Sequence, residues 1–406
     1  MLARRSAMTL ALAASIAAAP LAPAGAQDAN RTIKIGVLTD FSSAYAEYSG
    51  KYSLLGTQMA VEDFLAKHPN RRVEVVSADH QNKPDVGSAI ARNWIDNERI
   101  DAFGDMSTSA VVLAVMKLAA PAKKIVLVAS GNSGRITGEE CNPYTVQWPY
   151  DIKAPVVTAL RAVADQGAKS FFFVTVDNVS GAEQQMFGEQ TIARAGGTVA
   201  GSVKHPFNSA DFSSFMLQAQ ASRADVVVLA NQGLDTARAI KAAADFGMTP
   251  KQKMVSPFSS INDIPTVGLD LAQGLYTSAG YYWDRDERSR AFAKRFTDRI
   301  GRPPAHNHTA NYSATWHYLN AMEAAGSTDP DRIMAQMRAT KVDDVYTATG
   351  RVREDGQMVH DQFLLQVKKP SESTGKWDIM NVVGTVRGDD IFTPLADSRC
   401  PMIRKS

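Results

Sequence analysis

The chain has 406 residues, 45% of them hydrophobic and 21% charged, with two cysteines and a formal net charge of +2. That length exceeds one comfortable hydrophobic core and suits two, and the composition is that of a folded globular protein. The near-balance of charge excludes a polybasic binder of nucleic acid or anionic membrane.

Residues 1–26 place Arg4 and Arg5 ahead of an apolar Ala/Leu-rich segment that ends in Ala24-Gly25-Ala26. This is the pattern of a cleaved secretory signal, so the mature chain is expected to begin at Gln27. Pro20 and Pro23 break the apolar run, which is too short for a membrane anchor. No cysteine stands at the cleavage point, which excludes lipid attachment there. Losing two of 44 basic residues leaves the mature chain balanced against its 42 acidic ones. Cys141 and Cys400 then lie in an oxidising compartment, where an even pair is most simply a disulfide. The alternative is two inert buried thiols.

The β-branched, apolar run 33–38 predicts a strand buried on both faces. Loop 39–50 follows, with Asp40, three serines, Phe41, Tyr45 and Tyr48, and then a helix to 64. In an open α/β sheet, ligands bind beyond the carboxyl ends of strands, so this loop is expected to form one wall of a site. Strand 73–77 and helix 86–97 come next. Strand 100–103 then leads into Ser107-Thr108-Ser109 and an apolar helix, 110–119. One hydroxyl there serves as a helix cap; three exceed that need and suit a carboxylate. Strand 124–129 ends in Ser130-Gly131-Asn132-Ser133-Gly134, facing the first cluster.

The whole unit recurs from Lys169, with Asp177 in the place of Asp40. Two copies of one βα architecture predict two similar lobes with a site between them. In the second copy, Asn178 follows the first strand, Gln232 a later one, and Ser256-Pro257-Phe258-Ser259 the next. Residues 144–149 and 276–283 are expected as crossings between lobes. Helices at 287–300, 308–325 and 330–339 follow, and the alternating segments 346–353 and 362–367 are expected to form a third crossing. The resulting division is 27–146 and 283–346 for lobe 1, 147–282 and 347–395 for lobe 2, and 396–406 for a tail.

Signatures of catalysis are missing: H-E-x-x-H, G-x-x-x-x-G-K-[ST], G-x-G-x-x-G after a strand and G-x-S-x-G do not occur. His306, His308 and His317 lack a carboxylate or cysteine at ligand spacing, and a solvated loop is expected there rather than a metal site. Asp40 and Asp177 are expected to accept hydrogen bonds from loop N–H groups rather than to act as paired acids. No cofactor is expected.

The stretches IKIGVLTDFSSAYAEYSG, GTQMAVEDF, VVSADHQNKPDVGSAIARNWID, DFSSFMLQAQASRADVVVLAN and GLYTSAGYYWD together resemble one family. It is the periplasmic substrate-binding proteins of ABC transporters, in the Leu/Ile/Val-binding branch. The resemblance covers nearly all of the mature chain. It implies a type I periplasmic binding fold: two doubly wound parallel-sheet α/β lobes, joined by a three-segment hinge, that close on a solute without turnover. An inner-membrane permease is the implied partner, and a monomer is expected. In the family an aromatic of the first loop packs on the ligand, here Tyr48. Strand-end hydroxyls hold its carboxylate, here Ser107, Thr108 and Ser109 with Ser130 and Ser133. Asn132, Asn178, Gln232, Phe258 and Tyr312 complete the candidate set, the last two around the ligand's body.

Departures from the family pattern bear on the ligand. The usual Gly-Pro of the first loop is Ser43-Ala44, Ala-Thr of the second cluster is Asn132-Ser133, Arg135 stands where an acid is common, and Ser180 replaces an aromatic. The acid that pairs with an amino acid's ammonium is replaced by Phe258. A buried unpaired ammonium is costly. The expectation is therefore a carboxylate without an α-amino group, aromatic or branched aliphatic, ahead of a branched-chain amino acid. The rivals are a sensory module that presents ligand to a receptor and an exported hydrolase, for which Ser107 lacks an identifiable histidine partner.

Overall fold

A computed structural model describes residues 31–43, 45–249 and 251–403. The expected signal segment and cleavage point lie outside the described residues.

The chain opens with β1 (Thr32–Thr39), α1 (Gly50–Lys67), β2 (Arg72–Asp79), α2 (Pro84–Asn93), β3 (Ala102–Asp105), α3 (Ser109–Ala119), β4 (Ile125–Val128) and β5 (Thr145–Gln147). These strands form one all-parallel sheet in the order β2-β1-β3-β4-β5. Side chains alternate across β1: Ile33 and Ile35 join Phe64 and Tyr318 on one face, and Leu38 joins Phe103 and Val111 on the other. Both faces are covered, which is why the strand reads as an almost unbroken apolar run.

The second copy runs through α4 (Lys153–Asp165), β6 (Ser170–Val176), α5 (Val179–Arg194), β7 (Thr198–His205), α6 (Ser213–Ala221), β8 (Val226–Ala230), α7 (Leu234–Asp245), β9 (Lys253–Val255) and β10 (Tyr276–Ala279). Its parallel strands lie in the order β7-β6-β8-β9-β10, the same topology as the first sheet. In each sheet the order reverses beside the first strand, between β1 and β3 and between β6 and β8. That reversal opens a crevice at the strands' carboxyl ends.

After β10 the chain returns to the first sheet through α8 (Glu287–Ile300), α9 (His306–Ala325) and α10 (Pro330–Ala339). Helix α9 lies so close to α1 that a Cβ on Gly56 would stand 2.3 Å from the His308 carbonyl oxygen. A small hairpin, β11 (Arg351–Val352) with β12 (Met358–Val359), precedes β13 (Gln362–Val367) and β14 (Met380–Val386), which add antiparallel to the second sheet beyond β10.

The third crossing comes later than the sequence suggests. Val352 and Met358 pack with Ile33, Trp148 and Tyr346 in a core of the first sheet. Gln147 bridges Gln357 in parallel, and its N–H donates to the Gly356 carbonyl at 2.9 Å. Residues 351–358 thus extend the first lobe, and the chain passes over between Val359 and Gln362. Short strands of two residues carry too little alternation to reveal which sheet they join. Near the carboxyl end, Cys141 and Cys400 form a disulfide across 259 residues. No helix among the described residues is long and apolar enough to cross a membrane.

Candidate functional site

The first loop is organised by Asp40, which is fully buried. Its carboxylate accepts the N–H groups of Ser42 at 3.2 Å, Ser43 at 2.8 Å and Tyr45 at 3.1 Å, and the hydroxyl of Ser43. Asp177, its counterpart in the repeat, is exposed and pairs with Lys204 at 3.2 Å. Only the first-lobe copy builds a structured loop around its aspartate.

The strand-end hydroxyls divide into those already committed and those left over. Ser107 is committed: its Oγ meets Ser49 Oγ at 2.5 Å and accepts the Asp40 N–H at 3.2 Å. Ser130 donates to Asp105, a fully buried carboxylate that also takes Thr39 at 2.5 Å and Asn311 at 3.1 Å. Burial pushes the Asp105 carboxyl up, against the pull of those three donors. Thr108 is different, because its Oγ1 is buried without a hydrogen-bond partner. Ser109 Oγ accepts the Ser133 N–H at 3.0 Å, and Ser133 Oγ accepts the Arg135 N–H at 3.3 Å. Each of those two hydroxyls keeps its proton for another acceptor. Asn132 lies beside them, partly exposed.

Tyr48 is held from three consecutive residues at the start of α9. His308 Nε2 meets the Tyr48 carbonyl oxygen at 2.8 Å, Asn307 Nδ2 donates to the same oxygen at 2.5 Å, and His306 Nε2 meets the Tyr48 hydroxyl at 3.1 Å. Tyr45 packs edge-on to Tyr48 with centroids 6.4 Å apart. The histidines at 306, 308 and 317 are therefore buried in a helix, not in a solvated loop. Pro303 and Pro304 stand just before the helix begins at His306. Burial, with Arg302 next in effect, holds His308 well below the usual imidazole range. Among the described residues no group of three His, Cys, Asp or Glu could hold a metal ion.

From the second lobe, Phe258 meets Tyr150 edge-on at 5.9 Å. Gln232 is partly exposed after β8. Asn178 is exposed and caps α5, its side chain accepting the Gly181 N–H at 2.9 Å. Tyr312 does not join the others. It packs with Tyr52, Met59, Phe292 and Phe296, and its hydroxyl donates to Asp63 at 2.8 Å. The residue lies on the α9 face that meets α1 and α8, a helical phase that sequence alone left open.

Three residues at the interface went unnoticed in the sequence, Tyr150, Asp235 and Asp263, and a fourth, His306, was weighed only as a metal ligand. Tyr150 stands one residue beyond the stretch expected as a crossing. Asp263 accepts the Ser260 N–H at 2.7 Å and its hydroxyl at 2.9 Å, and burial raises its carboxyl. Its charge acts on the phenols of Tyr48 and Tyr150, and that of Asp235 acts on Tyr45. Asp263 and Asp235 of the second lobe thus face Tyr48 and Tyr45 at the crevice of the first. Loop 256–263 carries its acid seven residues into the loop, where strand-end spacing gave no signal.

Comparison with known proteins fits this geometry. A family model of periplasmic binding proteins matches residues 32–376. The crystal structure of a periplasmic binding protein from Burkholderia mallei is 41% identical, covers 92% of this chain and 99% of its own, and superposes with a TM-score of 0.84. A branched chain amino acid ABC transporter periplasmic ligand-binding protein from Burkholderia xenovorans is 37% identical, over 92% of this chain and 100% of its own, with a TM-score of 0.88. A Leu/Ile/Val-binding protein homolog of Brucella melitensis is 24% identical over 281 residues, 67% of this chain and 70% of that protein. With two lobes of one topology facing each other across strand ends, and a family match spanning most of its length, the chain belongs to the periplasmic binding protein family.

Proposed function

We propose that this solute-binding protein captures a small organic carboxylate, aromatic or branched aliphatic, between its lobes. Family membership implies a periplasmic location, a small-molecule ligand and an ABC permease as partner. The finer reading adds export through a cleaved signal at 1–26, delivery of the carboxylate to that permease by a monomer, and no turnover.

One observation carries the ligand class. Thr108 has a buried hydroxyl without a partner, next to Ser109 and Ser133, whose hydroxyl protons are uncommitted. A buried polar group left unpaired costs about 1–3 kcal/mol; Thr108 and Ser109 stand at the start of α3, where N–H groups and the helix dipole favour an anion, and Ser133 bonds to Ser109 there. Tyr48, Tyr150 and Phe258 supply aromatic walls suited to an apolar body. Against an α-amino group stands Phe258 at the loop's first turn. Against turnover stands Ser107, whose hydroxyl meets Ser49 while only its N–H reaches His80. A solute-binding protein of the same fold from Rhodopseudomonas palustris is in complex with 4-hydroxybenzoate. At 21% identity it indicates only that the fold accommodates an aromatic acid.

A thermal-shift screen tests this reading with amino acids, aromatic carboxylates and short-chain or keto acids. A ligand at a hundred times its dissociation constant adds about 2.7 kcal/mol. The expected outcome is a shift with an aromatic or branched acid and none with leucine. A shift with leucine alone overturns the argument from Phe258.

A further inference from the structure

The ring of Tyr150 belongs to the second lobe's packing. It lies with Ala154 of α4, Val359, Ile391 and Phe392, and Phe258 meets it edge-on. Its hydroxyl reaches the other way, to His306 Nε2 at 2.6 Å. The same nitrogen stands 3.1 Å from the hydroxyl of Tyr48, on the first-lobe loop. One imidazole nitrogen therefore joins a tyrosine of each lobe. His306 itself sits at the amino end of α9, in the first lobe, and is 5% exposed.

We infer that His306 is the positioning residue that couples Tyr48 to lobe closure, by accepting a hydrogen bond from Tyr150 across the interface only while its ring is neutral. When the ring takes a proton, Nε2 turns from acceptor to donor, so the Tyr150 O–H bond to it is replaced by one in which the phenol oxygen must accept. It also leaves a cation in a buried, largely aromatic setting. Protonation therefore favours separated lobes, in which water reaches the ring.

The groups around the ring give the sign. His360, from the third crossing, faces it as a second imidazole. Tyr48 and Tyr150 face it as neutral phenols, and Asp263 and Asp105 act on those phenols rather than on the ring. Burial first, and His360 next, lower the ring from its ordinary 6.5 to about 4 in the closed arrangement. A ring exposed by opening returns toward 6.5. The closed arrangement is thus undiminished above pH 6.5 and loses roughly tenfold against the open one for each pH unit below it, until about pH 4. The effect on solute affinity rests on Tyr48 being a wall of the solute site. The joint itself does not need a solute.

The test is therefore made on the ligand-free mature protein, by small-angle X-ray scattering between pH 7.5 and 5 alongside the NMR titration of the His306 ring. Wild type should expand as the pH falls below 6.5, with the His306 ring taking up its proton over the same range as the expansion and staying neutral in the compact form. His306→Gln should keep the same dimensions throughout, and Tyr150→Phe should be the more expanded at pH 7.5. Unchanged wild-type dimensions at pH 5, the same expansion in His306→Gln, or a His306 ring titrating at 6.5 in the compact protein would overturn the inference. Because no solute is added, these results stand whatever the thermal-shift screen returns.

Discussion

At the scale of single residues, what matters is which polar groups are already satisfied by the fold. Thr108 is not. Thr108→Val keeps the shape and removes an unpaired hydroxyl, so stability should hold or rise in thermal unfolding. Affinity for the best acid of the screen should fall roughly tenfold to a hundredfold in calorimetry, the worth of a hydrogen bond to a charged group. Tyr312 predicts the opposite pattern. Tyr312→Phe removes the bond to Asp63 and should cost about 1 kcal/mol of unfolding free energy while leaving solute affinity unchanged. Both residues were candidates in the sequence, and spacing could not separate them. A hydroxyl after a strand is tied to the strand's end, whereas a tyrosine six residues into a helix depends on which face turns inward. Ser107 and Ser130 show a second limit, because their internal partners, Ser49 and Asp105, lie 58 and 25 residues away in sequence.

At the scale of elements, the repeat was the legible part. Apolar runs bounded by Asp- and Ser-bearing loops are set by local burial on both faces of a parallel strand, and β1 and β6 followed them closely. The hairpin β11–β12 was not legible, since two-residue strands carry no period. Nor was the fit of α1 against α9, which depends on Gly56. Gly56→Ala would drive a methyl group into the His308 carbonyl and should destabilise the protein by about 1–3 kcal/mol or more. Because His308 also meets the Tyr48 carbonyl oxygen, weaker solute binding should accompany the loss. A denaturant titration paired with a binding isotherm checks both.

At the scale of the whole molecule, two cores of one topology are tied by three crossings and a disulfide. Cys141–Cys400 pins the carboxyl-terminal segment to the loop after β4 across 259 residues. Replacing both cysteines with serine should cost about 2–5 kcal/mol, read as a lower midpoint in denaturant, with solute binding retained. The proposed site lies elsewhere, between the two lobes. Two lobes and a shared crevice could be read from the duplicated sequence. Tyr48 could be named there too, but that Tyr150, His306 and Asp263 meet it at the crevice could not be read, because they come together only when the lobes do.

The central claim is that the first lobe holds a carboxylate through neutral hydroxyls at the start of α3. Calorimetry with the acid that gives the largest thermal shift, set against its methyl ester, addresses this most directly. The account predicts saturable binding of the acid and at least a hundredfold weaker binding of the ester, with the difference largely lost in Thr108→Val. Equal affinity for acid and ester would contradict it.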